Sequence, residues 1–211
     1  MIKVFIGYDT REIAAFHVLA QSIINHASEP VAIIPLVQAQ LRSMGIYRRE
    51  TGASESTEFS LTRFLVPYLS DYRGTSIFMD CDMLCQADIC ELAKRVEIGM
   101  AVAVCQHEYH PKTKTKMGGK AQSSYPRKNW SSLMVFSNSH FHCQSLTPDF
   151  VSRAEASHLQ QLRWSDRIGS LPIEWNWLAG EYVENPEAKI LHYTLGGPWF
   201  DPWYKALKAI E

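Results

Sequence analysis

The stretch Ser76-Ile77-Phe78-Met79-Asp80-Cys81-Asp82-Met83-Leu84 sets the reading of this chain. Four residues of little polarity, three of them large and apolar, run into two carboxylates one residue apart. That is the pattern of a buried parallel strand ending at the rim of a sheet. Open α/β sheets bind ligands at such rims. In an extended segment Asp80 and Asp82 share a face, because side chains alternate with a period of two. Two hard oxygen ligands on one face suit Mg²⁺ or Mn²⁺ carrying a substrate diphosphate. The competing reading is a strand followed by a polar turn, since Asp-x-Asp is a short motif.

On the N-terminal side, residues 2–7 read as a first strand and Tyr8-Asp9-Thr10 as the turn at its end. Residues 11–25 follow with Ile13, Phe16, Val18, Leu19 and Ile23 at roughly helical spacing, so strand, turn and helix open an α/β fold. Asp9 caps that helix or contacts a nucleotide at the strand mouth. Residues 31–37 read as a second strand, placed at an edge by Pro35. Residues 42–58 are polar and irregular and read as a loop over the site. Residues 59–69 read as a helix ending near Pro67. Its Arg63 is either solvated or aimed at a diphosphate.

On the C-terminal side a short helix (residues 88–95) and a strand (100–105) precede an apolar-poor segment, 106–129. That segment carries Lys112, Lys114, Lys116, Lys120, Arg127 and Lys128 around Gly118-Gly119, without a carboxylate after Glu108. It reads as a solvated flank or as a mobile lid over anionic substrate. Strand character returns over 130–136, helix over 148–161, and a last short strand over 190–194. Trp164, Trp175, Trp177, Trp199 and Trp203 either pack a small core or floor a sugar site. His192 is a satisfied imidazole by default, or the third member of an Asp, Asp, His metal set if its strand lies beside the central one.

At 211 residues with 46% apolar and 20% charged side chains, the chain is globular and most economically one domain. Lys plus Arg at 21 against Asp plus Glu at 22 leaves a net charge of -1, which gives no basis for binding nucleic acid or an anionic membrane. Without a transmembrane-length apolar run or a signal-peptide layout, a cytoplasmic protein is expected. The five cysteines lack paired zinc spacing and read as buried thiols.

Taken together and in order, six motifs resemble bacterial-type glycosyltransferases similar to glycosyltransferase family 8. They are Gly7-Tyr8-Asp9, Ser60-Leu61-Thr62-Arg63-Phe64, Phe78-Met79-Asp80-Cys81-Asp82, Trp130-Ser131-Ser132-Leu133-Met134-Val135-Phe136, Leu171-Pro172-x-Glu174-Trp175-Asn176 and His192-Tyr193-x-x-Gly196-Gly197-Pro198-Trp199. The resemblance implies a GT-A fold over residues 1–211, a Rossmann-like α/β domain with a mixed central sheet flanked by helices. The alternative is one catalytic domain of a longer protein. It implies Mn²⁺ or Mg²⁺ and a UDP-sugar donor, with Asp80, Asp82 and His192 holding the metal. Gly7, Tyr8 and Asp9 would lie at the base and ribose, Arg63 near the donor phosphates or sugar, Ser131 and Ser132 beside the donor sugar, and Gly196-Gly197 in the last motif. Trp175-Asn176 would line the acceptor side. Many members carry a Lys where this chain has Gly197, and a lid lysine would supply that charge. The family's reactive Asp-Gln pair has Gln160-Gln161 as its nearest counterpart, so Asp80, Asp82, Gln160 and Gln161 form the expected catalytic set.

The implied reaction is a retaining transfer of a hexose or deoxyhexose to a glycan, glycolipid or glycoprotein hydroxyl. Two other readings compete. A strand followed by Asp-x-Asp also opens haloacid-dehalogenase-like phosphatases, whose first Asp is a nucleophile, although here Leu84 follows the pair and no late Asp-Asp exists. The other is a non-catalytic module that binds a nucleotide-sugar.

Overall fold

The computed structural model describes residues 1–50, 55–108 and 126–197. The lid lysines 112, 114, 116 and 120, together with Pro198, Trp199 and Trp203, lie outside the described residues.

The first strand, β1 (Ile2–Tyr8), leads into α1 (Ile13–His26). Ala15, Phe16, Leu19, Ser22 and Ile23 make the buried stripe of α1, the spacing of one helical face. Val18 falls outside that stripe and is exposed, contrary to the sequence expectation. β2 (Val31–Val37) takes the sheet edge, where Pro35 is tolerated, and α2 (Gln38–Ser43) occupies the start of the expected loop. The expected helix over 59–69 is a 3₁₀ turn, Thr62–Leu65, followed by α3 (Val66–Leu69). Pro67 sits in the first turn of α3, where its missing N–H costs nothing, so it begins this helix instead of ending it.

The central strand β3 (Thr75–Met79) stops one residue before the acid pair, and β4 (Met83–Cys85) resumes one residue after it. After α4 (Ile89–Ala93), capped by Asp88, come β5 (Val102–Cys105) and β6 (Leu133–Ser137). Residues 130–132 form a 3₁₀ turn ahead of β6, so Ser131 and Ser132 are not on the strand as expected. The expected helix over 148–161 is broken near Ala154 into α6 (Pro148–Arg153) and α7 (Ala156–Gln160), after a short α5 (Phe141–Gln144) that its sequence did not signal. β7 (Ile168–Leu171), β8 (Trp177–Leu178) and β9 (Ile190–His192) complete the strands.

Six strands form one sheet in the order β2-β1-β3-β6-β5-β7. β3 runs parallel to β1 but antiparallel to β6, so the central strand belongs to a mixed sheet, not an all-parallel one. Ile77, Phe78 and Met79 are fully buried, as are Leu133 to Phe136 on the neighbouring strand. Near-continuous apolar runs in these strands follow from burial on both faces, with α1 against β1 and β4, and α3 and α4 against β3. A second sheet of three strands, β4-β9-β8, stands beyond the end of β3. Its pairing places Met83 opposite His192 and Leu178 beside it. No described helix is long and apolar enough to cross a membrane.

Candidate functional site

The acid pair occupies the turn where the chain leaves the large sheet for the small one. The Asp80 N–H donates to the Ser132 carbonyl at 2.9 Å, and the Asp82 carbonyl accepts from the Tyr193 N–H at 2.9 Å. Each acid is therefore pinned by backbone to a different sheet. The turn breaks the strand alternation assumed from sequence, yet one ligand atom each from Asp80, Asp82 and His192 all lie within 4.8 Å of one another. Asp82 Oδ1 is 3.3 Å from His192 Nε2.

His192 is held from behind. Its Nδ1 lies 2.9 Å from Asn176 Oδ1, Asn176 Nδ2 donates to Ser132 Oγ at 2.9 Å, and the Ser132 hydroxyl donates to the Asn129 carbonyl at 2.7 Å. The polarity of this chain is forced. Ser132 spends its only proton on a carbonyl, so it must accept from the amide nitrogen. The amide oxygen is then left facing the imidazole, and Nδ1 carries the proton. Nε2 consequently faces Asp82 and is the nitrogen that a metal would engage, the usual arrangement behind a metal-ligating histidine. Burial alone would lower the His192 pKa; the charge and hydrogen bond of Asp82, with the charge of Asp80, outweigh it and raise the value. A divalent cation between these groups would replace the second imidazole proton.

Asp80 is paired with Arg63 at 2.9 Å, both side chains being largely buried. The guanidinium lies between the rings of Phe59 and Phe78, 5.3 and 4.9 Å from their centroids, and donates to the carbonyls of Phe59 and Ser131. Arg63 is thus buried and not solvated, and its guanidinium reaches Asp80 at the end of β3. Glu12, which the sequence reading passed over, is a further buried carboxyl beside this group. Burial, then the charges of Asp82, Asp9 and Asp80, push its pKa up to about 8. The only signal for it was its place three residues after Asp9.

Asp9 is fully buried, and its side chain does not cap α1. Its Oδ1 accepts from the backbone N–H and Nε of Arg11, and its Oδ2 from Arg11 Nη2 and the Glu58 N–H. Four donors occupy the carboxylate, whose pKa is lowered because the Arg11 bonds overcome the cost of burial. Asp9 therefore ties the end of β1 to the segment preceding the 3₁₀ turn. Gly7 permits that junction: a Cβ there would stand 2.4 Å from the Phe59 ring. Tyr8 packs edge to face on Phe16 with centroids 5.4 Å apart.

The remaining expected residues divide. Ser132 and Asn176 are buried behind His192, and Trp175 is fully buried beneath Lys189, so Trp175-Asn176 line no open acceptor surface. Gly196, with φ 102°, closes a turn onto the Tyr193 carbonyl a few residues beyond His192, and Gly197 follows it. Gln160 ends α7, and the Gln161 carbonyl accepts from Arg127 at 2.8 Å. Among the described residues, neither glutamine is hydrogen-bonded to Asp80, Asp82 or His192. Lys128 is buried and Arg127 lies over the Trp130 ring.

No family model matches the chain. Protein CDI of Arabidopsis thaliana is 45% identical over 208 residues, covering 95% of this chain and 80% of that protein. Among solved structures, the bifunctional glycosyltransferase WbbM superposes with a TM-score of 0.60 at 16% identity, covering 93% of this chain and 46% of its own, so this chain spans about half the length of WbbM. An active-site mutant of LgtC superposes with a TM-score of 0.58 at 12% identity over 100% of this chain and 96% of LgtC. The galactosyltransferase LgtC in complex with donor and acceptor sugar analogs superposes with a TM-score of 0.55 at 11% identity, covering 96% of this chain and 90% of its own. The shared architecture is the GT-A type: a mixed sheet flanked by helices.

Proposed function

The chain belongs to the family of the Arabidopsis thaliana Protein CDI, and from its GT-A fold and the acid and histidine group at the sheet junction we propose that it is a metal-dependent glycosyltransferase. The donor in this reading is a UDP-sugar, and the transferred group a hexose or deoxyhexose. The acceptor is a hydroxyl of a glycan, glycolipid or glycoprotein. The observation that carries it is the meeting of Asp80, Asp82 and His192 at the junction of two sheets, with the imidazole locked in the tautomer that presents Nε2. Two carboxylates and a neutral imidazole are a fitting donor set for Mn²⁺, and for Mg²⁺ with less need of the nitrogen. When bound, such an ion supplies positive charge to the diphosphate that leaves as UDP.

The chain's own residues prepare that site. Arg63 fixes Asp80, Tyr193 fixes the backbone of Asp82, and Asn176 fixes His192, so the three ligands need little reorganisation. The carboxylates are engaged with these partners and serve the cation, which leaves a retaining transfer in which the acceptor hydroxyl enters on the leaving-group side. The bond from the anomeric carbon to the phosphate oxygen breaks, the bond to the acceptor oxygen forms, and the acceptor proton passes to a phosphate oxygen. In this reading Gly196-Gly197 serve the diphosphate, and Gln160-Gln161 the reacting face.

A panel of UDP-sugars with Mn²⁺ tests it, with free UDP as the readout. Turnover by the unsubstituted protein should fall at least about a hundredfold in Asp82→Asn, while the thermal midpoint stays within a few degrees. Undiminished turnover in that variant would remove the assignment. Release of inorganic phosphate from a phosphomonoester would point to the phosphatase reading instead.

A further inference from the structure

The small sheet has two faces. Met83, Cys85, Ile190, His192 and Leu178 are buried on one, while Leu84, Leu191 and Trp177, paired across the three strands, are half-buried on the other. Strand alternation therefore turns Trp177 and Leu191 away from His192. On their side lies a cleft of about 460 Å³, lined by Trp177, Tyr182, Tyr193, Gln86, Glu184 and Asn185 among others. That volume falls within the range of small-molecule sites, about 300–1,000 Å³.

Two of the lining rings have their polar tips already used. Trp177 Nε1 donates to the Val183 carbonyl at 3.1 Å, Tyr182 Oη lies 2.9 Å from His107 Nδ1, and the Trp177 and Tyr182 rings meet edge to face at 5.2 Å. Neither Val183 nor His107 lines the cleft, so what the two rings offer it is carbon surface. The Gln86 amide and the Glu184 carboxylate, both exposed, make no hydrogen bond among the described residues. Among the described residues no lysine or arginine lines the cleft. A carboxylate without a cation repels phosphates and acids. Aromatic carbon beside an amide and a carboxylate suits a neutral polyol with an apolar face, which is the description of a pyranose ring.

We propose that this cleft binds a pyranose residue of a neutral saccharide, separately from the acids and histidine on the opposite face of the sheet. The inference rests on the cleft alone and holds whether or not the chain transfers sugar. Tyr193 joins the two regions, lining the cleft while its backbone N–H holds the Asp82 carbonyl.

Saturation-transfer NMR on the full chain tests it, using methyl glycosides of glucose, galactose, mannose and xylose in buffer free of nucleotide and divalent metal. At least one glycoside should receive saturation. Trp177→Ala should weaken its binding about tenfold, the loss of one stacked ring. Glu184→Ala, at an exposed position that leaves folding intact, should weaken it several-fold. Absence of transfer from every glycoside at tens of millimolar overturns the proposal. So does binding that neither substitution alters, or binding of tetramethylammonium with none of the sugars. UDP release by the unsubstituted protein is scored separately: saccharide binding without it would sink the transferase reading and leave the cleft standing.

Discussion

Asn176 illustrates how a buried neutral side chain governs a charged site. Its amide is interposed between the Ser132 hydroxyl and the His192 imidazole, and its orientation follows from the single proton that Ser132 has to give. Removing it frees the ring to rotate and leaves Nδ1 without an acceptor. Asn176→Ala is therefore expected to weaken Mn²⁺ binding by about 10- to 100-fold, read by electron paramagnetic resonance titration without any sugar donor. An unchanged Mn²⁺ affinity in the folded variant would show that the amide does not set the tautomer. Glu12 makes a second prediction, on stability. Its folded pKa of about 8 lies above the ordinary 4.5, so the folded chain keeps a proton that the unfolded chain releases. The group's contribution is complete at acidic pH and is lost as pH rises through about 8. Glu12→Gln should flatten the fall in melting temperature between about pH 5 and about pH 8, and should stabilise the metal-free protein most at the alkaline end.

Among the elements, the junction of β1 with the 3₁₀ turn at Thr62–Leu65 is the tightest constraint on the site. Phe59 fills the space over Gly7 and forms one side of the slot that holds Arg63, which in turn fixes Asp80. A methyl group on Gly7 has nowhere to go without moving that ring. Gly7→Ala should cost about 1–3 kcal/mol in denaturant unfolding through overpacking, and it should loosen Asp80 as well. A substitution at Gly74, where a Cβ would meet nothing, has no such packing consequence, although its φ of 64° favours glycine. The departures from the sequence reading also arise at this scale. The helix over 59–69 begins as 3₁₀, and that over 148–161 breaks near Ala154. Boundaries of this kind are set by tertiary contacts more than by local propensity. Val18 satisfied an approximate helical spacing, but the stripe of α1 runs through Phe16, Leu19 and Ile23 and leaves Val18 on the water side.

For the molecule as a whole, all five cysteines are free and buried, and Cys81, Cys85, Cys105 and Cys143 have pKa values raised first of all by burial. A thiol reagent should label none of them in the native protein and all five after denaturation, and reductant should not shift the melting temperature. Labelling at native rates would mean that the core opens far more readily than this packing implies.

What could be read without coordinates was whatever depends on local order: apolar runs that had to be strands, an acid pair at the end of one of them, and motifs in a recognisable succession. Arg63, Asp80, Asp82 and His192 were all nameable in that way. Their roles relative to one another were not. Nothing in the spacing could reveal that Arg63 lies between two phenylalanines under Asp80, that Asp9 is already filled by Arg11 and Glu58, or that Asn176 stands behind His192. Arg63 and Asp80 are 17 positions apart along the chain, Asp9 and Glu58 49, and Asn176 and His192 16. Closure of β9 against β4, at the register that sets His192 opposite Met83, brings the histidine to the acid pair, while the packing of Phe59 over Gly7 brings Arg63 and Glu58 to Asp80 and Asp9. Side-chain alternation and hydrophobic burial act locally and leave a trace in the sequence, whereas the pairing of distant strands is decided by packing across the whole fold.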